Sequence, residues 1–174
     1  MIESQSLKLE KELSNLSDII ADNIKSAKRQ FLSINSSVSL RIIYDHVSET
    51  EANIYIKVDK YKISQVVYNL LNNAIKFTNE GSITISVKRK DDKVENKKAI
   101  AVSIKDTGKG IDSEMLPRLF TRFATKSFSG TGLGLFVSKH IVDAHDGEIW
   151  AENNSDEKGA TFSFTLPLSS NNDN

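Results

Sequence analysis

Gly130-Thr131-Gly132-Leu133-Gly134-Leu135 sets glycine at alternate positions directly ahead of a helical pattern that runs on to about His145. Glycine lets the backbone take positive φ and approach a ligand closely, and a helix start offers N–H groups with no carbonyl partner. Together they can cradle a phosphate, although the same run also fits an ordinary turn. Upstream, Asn69, Asn73 and Lys76 stand at i, i+4 and i+7, on one helix face displaced from the apolar stripe through Leu70 and Ala74. Asparagine oxygens suit Mg²⁺ shared with a substrate phosphate, and lysine neutralises phosphate as a point charge; the plain alternative is a polar face in water. No member of the trio is a strong base. The third cluster, Asp106-Thr107-Gly108-Lys109-Gly110-Ile111, closes an alternating strand. A carboxylate buried there could accept from an exocyclic amine such as adenine N6 while the glycines let the backbone close over a flat ring, and a simple strand-end turn would read the same way.

Elements must hold these clusters. Leu9, Leu13, Leu16, Ile20, Ile24 and Ala27 predict an amphipathic helix from about Glu3 to Phe31. Its stripe either folds onto the body or, as the three- and four-residue spacing favours, joins a bundle with another chain. Val38, Leu40, Ile42 and Tyr44 alternate, as do Ile54, Ile56 and Val58, predicting two strands joined as a hairpin. Asp59 stands as N-cap of a helix with the stripe Ile63, Val67, Leu70 and Ala74, ending near Thr78 and closed by Gly81. Ile83, Ile85 and Val87 predict a third strand, Asp91 to Lys98 a charged turn, and Ile100, Val102 and Ile104 a fourth strand. The helix opening at Gly132 presents Leu133, Val137, Ile141 and Ala144 on one face, and Ile149 with Trp150, then Phe162, Phe164 and Leu166, predict two closing strands. Between Asp106 and Gly130, Leu119, Phe120 and Phe123 lie beside Arg122, Lys126, Ser127 and Ser129. That stretch is too apolar for a linker and too irregular for a long helix; it fits a mobile lid anchored by aromatics and bringing cations toward phosphates. The whole predicts an α+β chain, a two-layer α/β sandwich whose mixed, mostly antiparallel sheet carries helices on one face, preceded by a helical arm.

Composition narrows the partners. Lys plus Arg and Asp plus Glu are 23 each, so no net field favours nucleic acid or a charged membrane surface. An apolar content of 39% suits one domain with a sizeable core. The absence of cysteine excludes disulfides, a thiolate nucleophile and zinc-thiolate sites. No apolar run approaches the ~20 residues of a membrane helix and no signal-peptide pattern opens the chain, so the expected location is cytoplasmic, with any membrane segment outside this chain.

Taken in order, Gln65 to Thr78, the Asp106 turn, the phenylalanine-bearing stretch, the Gly130 run and Gly159-Ala160-Thr161-Phe162 resemble the ATP-binding domain of sensor histidine kinases. That family belongs to a superfamily shared with type II topoisomerases and some chaperone ATPases, and the likeness spans about Val38 to Leu168. The resemblance implies a Bergerat sandwich at 35–168, an arm at 1–34 similar to the end of a dimerisation helix, and a polar tail at 169–174. It implies ATP and Mg²⁺ as cofactors, with Asn69 on the metal, Asn73 and Lys76 on phosphates, Phe77 bordering adenine and Asp106 on its N6. Gly108 and Gly110 would shape the adenine pocket, Gly130, Thr131, Gly132, Leu133 and Gly134 would receive phosphates, and Thr161 would support the base through water. Arg122 and Lys126 resemble lid cations, and the catalytic set would be Asn69, Lys76 and Arg122.

Hydrolysing members of that superfamily place a glutamate where Asn69 stands. An amide cannot serve as general base, so the resemblance implies ATP held for phosphoryl transfer rather than for hydrolysis. The acceptor histidine of the family lies in a His-Glu/Asp box on a dimerisation helix, and no such box exists here. Of the three histidines, His46 falls at the exit of the first strand, and His140 and His145 on the helix after the lid, where surface or packing roles fit best. The expectation is therefore a fragment, or a chain whose partner supplies the histidine: a catalytic domain passing the γ-phosphoryl group to a histidine outside this chain in two-component signalling. A response regulator downstream, a homodimer in the full-length protein, and no nucleic-acid or membrane contact complete it. The alternatives are a nucleotide-sensing module without transfer, and an ATPase of the same superfamily.

Overall fold

In the computed structural model, which describes residues 7–34, 40–45, 54–92, 97–123 and 132–168, seven strands and three helices follow one another along the chain. They are β1 (Glu12–Asn15), α1 (Leu16–Ile34), β2 (Leu40–Asp45), β3 (Tyr55–Val58), α2 (Lys60–Phe77), β4 (Gly81–Asp92), β5 (Lys97–Asp106), α3 (Gly134–Ala144), β6 (Ile149–Asn153) and β7 (Ala160–Pro167), with a 3₁₀ turn at Leu116–Arg118. Five strands form one sheet in the order β2-β4-β5-β7-β6, antiparallel except for the parallel pair β2 and β4. Register explains how the sheet makes a core. Ile83, Ile85 and Val87 face Asp106, Ile104 and Val102 across β4 and β5, and Ile104, Val102 and Ile100 face Phe162, Phe164 and Leu166 across β5 and β7. One side of the sheet is thus apolar and ends in a carboxylate.

That apolar side is covered by helices. Ile63, Val66, Val67, Leu70, Leu71 and Ala74 of α2 are buried, as are Leu16, Ile19, Ile20, Ile24 and Ala27 of α1, all in one cluster with the sheet residues. The other side is polar: Ser103 and Ser163 hydrogen-bond at 2.8 Å, and Lys105 Nζ lies 3.1 Å from Asp156 and 3.0 Å from Glu157. The two-layer sandwich with helices on one face is therefore the observed architecture.

Several local expectations need correction. The helical arm begins at Leu16 instead of about Glu3, because Asn15 Oδ1 accepts from Ser17 N–H at 2.9 Å and caps the helix there. Residues before that cap pair with β3, and Leu13, counted in the helical stripe, is 72% exposed on the ribbon. The stripe of α1 packs on this chain's own core, which is the fold-back arrangement and not the bundle seam that the spacing favoured. The expected hairpin is also absent, since β2 runs parallel to β4 and β3 pairs with β1. Alternation of side chains fixes which face is buried but says nothing about which strand is the neighbour. Of the charged segment from Asp91 to Lys98, Asp91 and Asp92 end β4 and pair with Lys98 and Lys97 of β5, and residues 93–96 lie outside the described residues. In α3 the fully buried residues are Ser138, Ile141 and Val142, so the stripe is rotated from Leu133 and Ala144. Of the aromatics between Asp106 and Gly130, Phe120 packs against the core, whereas Phe123 is 70% exposed.

Asp59 and His145 tie the helix ends together. Asp59 Oδ1 caps α2 by accepting from Lys62 N–H at 3.1 Å, and Oδ2 accepts from Glu10 N–H at 3.0 Å. Burial alone would raise the Asp59 carboxyl, but these two N–H groups, with His145 and Lys62 nearby, hold it below its ordinary value. Buried His145, at the end of α3, places Nδ1 2.8 Å from Ile141 O and accepts at Nε2 from Asp59 N–H at 3.0 Å. The ring is therefore neutral with its proton on Nδ1, and a second proton on Nε2 would confront the Asp59 donor. Burial is the main cause pushing this imidazole below its usual pKa, aided by Lys11 and opposed by Ile141 O, Asp59 and Asp146. Because the unfolded chain then takes up the proton first, stability is complete above the unfolded value of about 6.5 and is lost as pH falls below it. Thermal melts at pH 7 and pH 5 are expected to show a smaller drop for His145→Gln, which cannot titrate, than for the wild type. Equal drops would contradict the assigned role of His145.

Candidate functional site

The carboxylate that ends β5 is the centre of one half of the site. Asp106 is 3% exposed, and its Oδ1 accepts from Gly108 N–H at 2.8 Å and Ala160 N–H at 3.4 Å. Neither bond uses Oδ2, the oxygen left for an outside donor. Burial pushes the Asp106 carboxyl above the usual range, against the pull of those two N–H groups. Gly108 has to be glycine for spatial reasons: a Cβ there would run into Phe77 O, Asp106 Oδ1 and Thr78 Oγ1. Gly159, at φ +111°, likewise presses its Cα face against the Asp106 backbone, where no side chain would fit. Asn154 completes the frame, donating from Nδ2 to Asp106 O at 2.8 Å. Asn153 clasps the other end of the turn, accepting from Ile111 N–H at 2.7 Å and donating to Ile111 O at 2.8 Å.

The other half lies on α2 and the start of α3. Asn69 Nδ2 donates to Gly134 O at 3.1 Å and Ser138 Oγ at 3.2 Å, so the donor side of the amide is bound to α3 and its oxygen remains for a hard cation. No side chain caps the first turn of α3, whose N-cap residue is Leu133. Gly132 adopts φ +66°, whereas at Gly134 a Cβ would find ordinary van der Waals room beside Asn69. Asn73 is half-buried one turn along from Asn69, and exposed Lys76 lies with Nζ 5.5 Å from the Phe77 ring centre. Arg122 rests on α3, its guanidinium carbon 4.9 Å from the Phe136 ring centre. Among the described residues no group of three or more His, Cys, Asp or Glu could hold a metal, so a cation here would rely on Asn69 and on the ligand's own oxygens.

The structure therefore brings Phe77, Asp106 and Gly108 together at one end of α2, and Asn69 and Gly134 together eight residues, or about 12 Å, earlier along its axis. Gly110, at φ +77°, shapes the turn beside Asn153. Thr161 is not brought to the carboxylate. Its register partners are Lys105 and Glu152, which puts it on the polar side of the sheet, and its hydroxyl donates to Asn154 Oδ1 at 2.7 Å. Asn154 in turn donates to Asp106 O, which links Thr161 to that strand end. Lys126, Gly130 and Thr131 lie outside the described residues, as does His46. Sequence reasoning missed Asn153, Asn154, Ser138 and Thr78, because no spacing reveals an amide that reaches back 48 residues to a backbone carbonyl. Gly159 is signalled by its place just before the alternating strand that carries Phe162, Phe164 and Leu166.

Known proteins resemble this chain in sequence and in fold. Residues 58–170 match the family described as histidine kinase-, DNA gyrase B- and HSP90-like ATPase. The sensor histidine kinase WalK of Bacillus subtilis (strain 168) is 38% identical over 124 residues, covering 67% of this chain and 20% of WalK. The sensor protein FixL of Bradyrhizobium diazoefficiens is 32% identical over 171 residues, 94% of this chain and 30% of FixL. The chain thus spans less than a third of these curated relatives. The solved catalytic domain of the histidine kinase ThkA is 29% identical and superposes with a TM-score of 0.70, over 91% of this chain and 95% of that one. Full-length ShkA in complex with AMPPNP, at 19% identity and a TM-score of 0.73 over 95% of this chain and 33% of that one, shares the fold. This chain accordingly belongs to the histidine kinase-, DNA gyrase B- and HSP90-like ATPase family, as an ATP-binding catalytic domain of the sensor histidine kinase kind.

Proposed function

We propose that the chain holds Mg-ATP and passes the γ-phosphoryl group to a histidine on a dimerisation domain, with a response regulator as the next acceptor. The observation that carries this reading is the arrangement along α2: a buried carboxylate in a glycine frame at one end, and an amide oxygen beside an uncapped helix start about 12 Å away. The first end suits an adenine amine and the second suits phosphates with their cation, and the separation suits a nucleoside triphosphate lying along the helix. Asn73 and Lys76 lie between the two ends. Arg122, which rests on Phe136 of α3, is the lid cation of this reading that lies among the described residues. Mg²⁺, when bound, supplies charge neutralisation at the phosphates; Asn69 is the residue of this chain that would hold it.

Transfer fits better than hydrolysis because Asn69 offers no base to activate water. The γ-phosphorus bond to the bridging oxygen of ADP breaks as a bond to the histidine nitrogen forms, and the imidazole proton is released to solvent. Positioning and charge neutralisation are what the protein has to contribute. No helix among the described residues is long and apolar enough to cross a membrane. We place the domain in the cytoplasm, working on a homodimeric parent protein.

Two outcomes test this reading. Incubation of the chain with γ-labelled ATP, Mg²⁺ and the parent protein's histidine-bearing dimerisation domain is expected to fix label on that histidine, with slow phosphate release by the chain alone; rapid hydrolysis without transfer would contradict it. Asp106→Asn keeps an oxygen for Gly108 and Ala160 but presents an amide donor to the base. Calorimetry is expected to show at least a roughly tenfold loss of ATP affinity, the scale of one charge-assisted hydrogen bond. The ligand-free melting temperature should hold or rise, because a buried charge has been removed. Unchanged affinity would remove the pocket assignment.

A further inference from the structure

Thr78 Oγ1 is the buried side-chain polar atom that has no hydrogen-bond partner among the described residues. The residue is 1% exposed at the C-cap of α2, with extended backbone at φ −116° and ψ 101°. A helix end of this kind asks for no hydroxyl: the chain turns out of the helix in a conformation that valine adopts equally well, and the Oγ1 caps nothing. Other buried polar groups in the same layer are paired, including Asn23 to Ile19 O and Ser64, and His145 to Asp59 and Ile141. A buried donor without an acceptor is costly, and the position of this one is informative. Thr78 Oγ1 and Asp106 Oδ1 each lie 2.9 Å from the point where a Cβ on Gly108 would stand, so the two oxygens flank one glycine. They can be no further apart than the sum of those two distances, within reach of one bridging water or of a small shift of the α2 end.

We propose that Thr78 is a positioning residue for base recognition, its hydroxyl donating to the Asp106 carboxylate, directly or through one water, when the nucleotide is bound. The assignment rests on the ATP reading above. Such a donor favours the ionised carboxylate and fixes its orientation, which is what an acceptor for an exocyclic amine needs in a site that otherwise disfavours charge. It also accounts for a threonine at a helix end where its hydroxyl makes no cap.

The test is a double-mutant cycle read by calorimetry with ATP and Mg²⁺, using Thr78→Val, Asp106→Asn and the pair, with Thr78→Ser as rescue. Thr78→Val is expected to weaken ATP binding roughly five- to tenfold, the effect of one hydrogen bond, while leaving the ligand-free melting temperature unchanged or higher. It should also shift the acid limb of ATP binding to higher pH, and Thr78→Ser should restore both. In the Asp106→Asn background the valine should cost nothing further. Equal affinities of wild type and Thr78→Val, or an equal loss in both backgrounds, would overturn the role of Thr78 while leaving the ATP reading intact. Failure of the wild type to bind ATP would overturn both.

Discussion

A carboxylate buried at the end of a central strand constrains much of this molecule. Asp106 sits on the apolar side of the sheet, in register with Ile83, where an ion is disfavoured unless backbone donors are brought to it. Gly108 and Ala160 supply those donors, Gly159 lets β7 begin against the Asp106 backbone, and Asn154 holds the Asp106 carbonyl. Three segments distant in sequence are thereby fixed to one another: the end of α2, the turn after β5 and the start of β7. Stability alone would be better served by an apolar residue, and retention of the charge is what a base-recognition role requires.

Helix α2 converts that fixed point into a site. One face is committed to the core through Ile63, Val67, Leu70 and Ala74, so the helix cannot rotate without exposing apolar surface. The adjacent edge then has no freedom either: Phe77 O abuts Gly108 at one end, and the Asn69 amide is held by Gly134 and Ser138 of α3 near the middle. At the N-terminal end, Asp59 and His145 bind α2 to the last turn of α3 a second time. The two helices are thus tied at two levels. In the proposed reading, these ties hold the base end and the phosphate end of the site in one frame.

Periodicity made the sheet strands, α2 and the Asp59 cap legible, because each buries one face and the residue types repeat at the period of that face. It failed where partner choice mattered. The strand around Ile56 looks the same whether it pairs with Leu40–Asp45 or with Glu12–Asn15, and only the three-dimensional path decides. Asn15 was overlooked as a cap because an apolar stripe continued through Leu13 on its far side. In the site, residue type singled out Asp106, Gly108, Asn69 and the Gly132 region as candidates. Thr161 lies on the polar face of the sheet and meets Asn154, a link that its own residue type does not reveal, and Asn154 and Thr78 carry no pattern that their neighbours lack.

In the proposed function, Asp106 reads an exocyclic amine. Guanine presents a carbonyl acceptor where adenine presents N6–H, and an ionised carboxylate repels it. The most direct measurement is calorimetric comparison of ATP and GTP binding to the wild-type chain with Mg²⁺. ATP should bind with GTP weaker by about tenfold or more, the discrimination typical of a buried polar group left facing the wrong partner. Equal affinity for the two nucleotides would contradict the account.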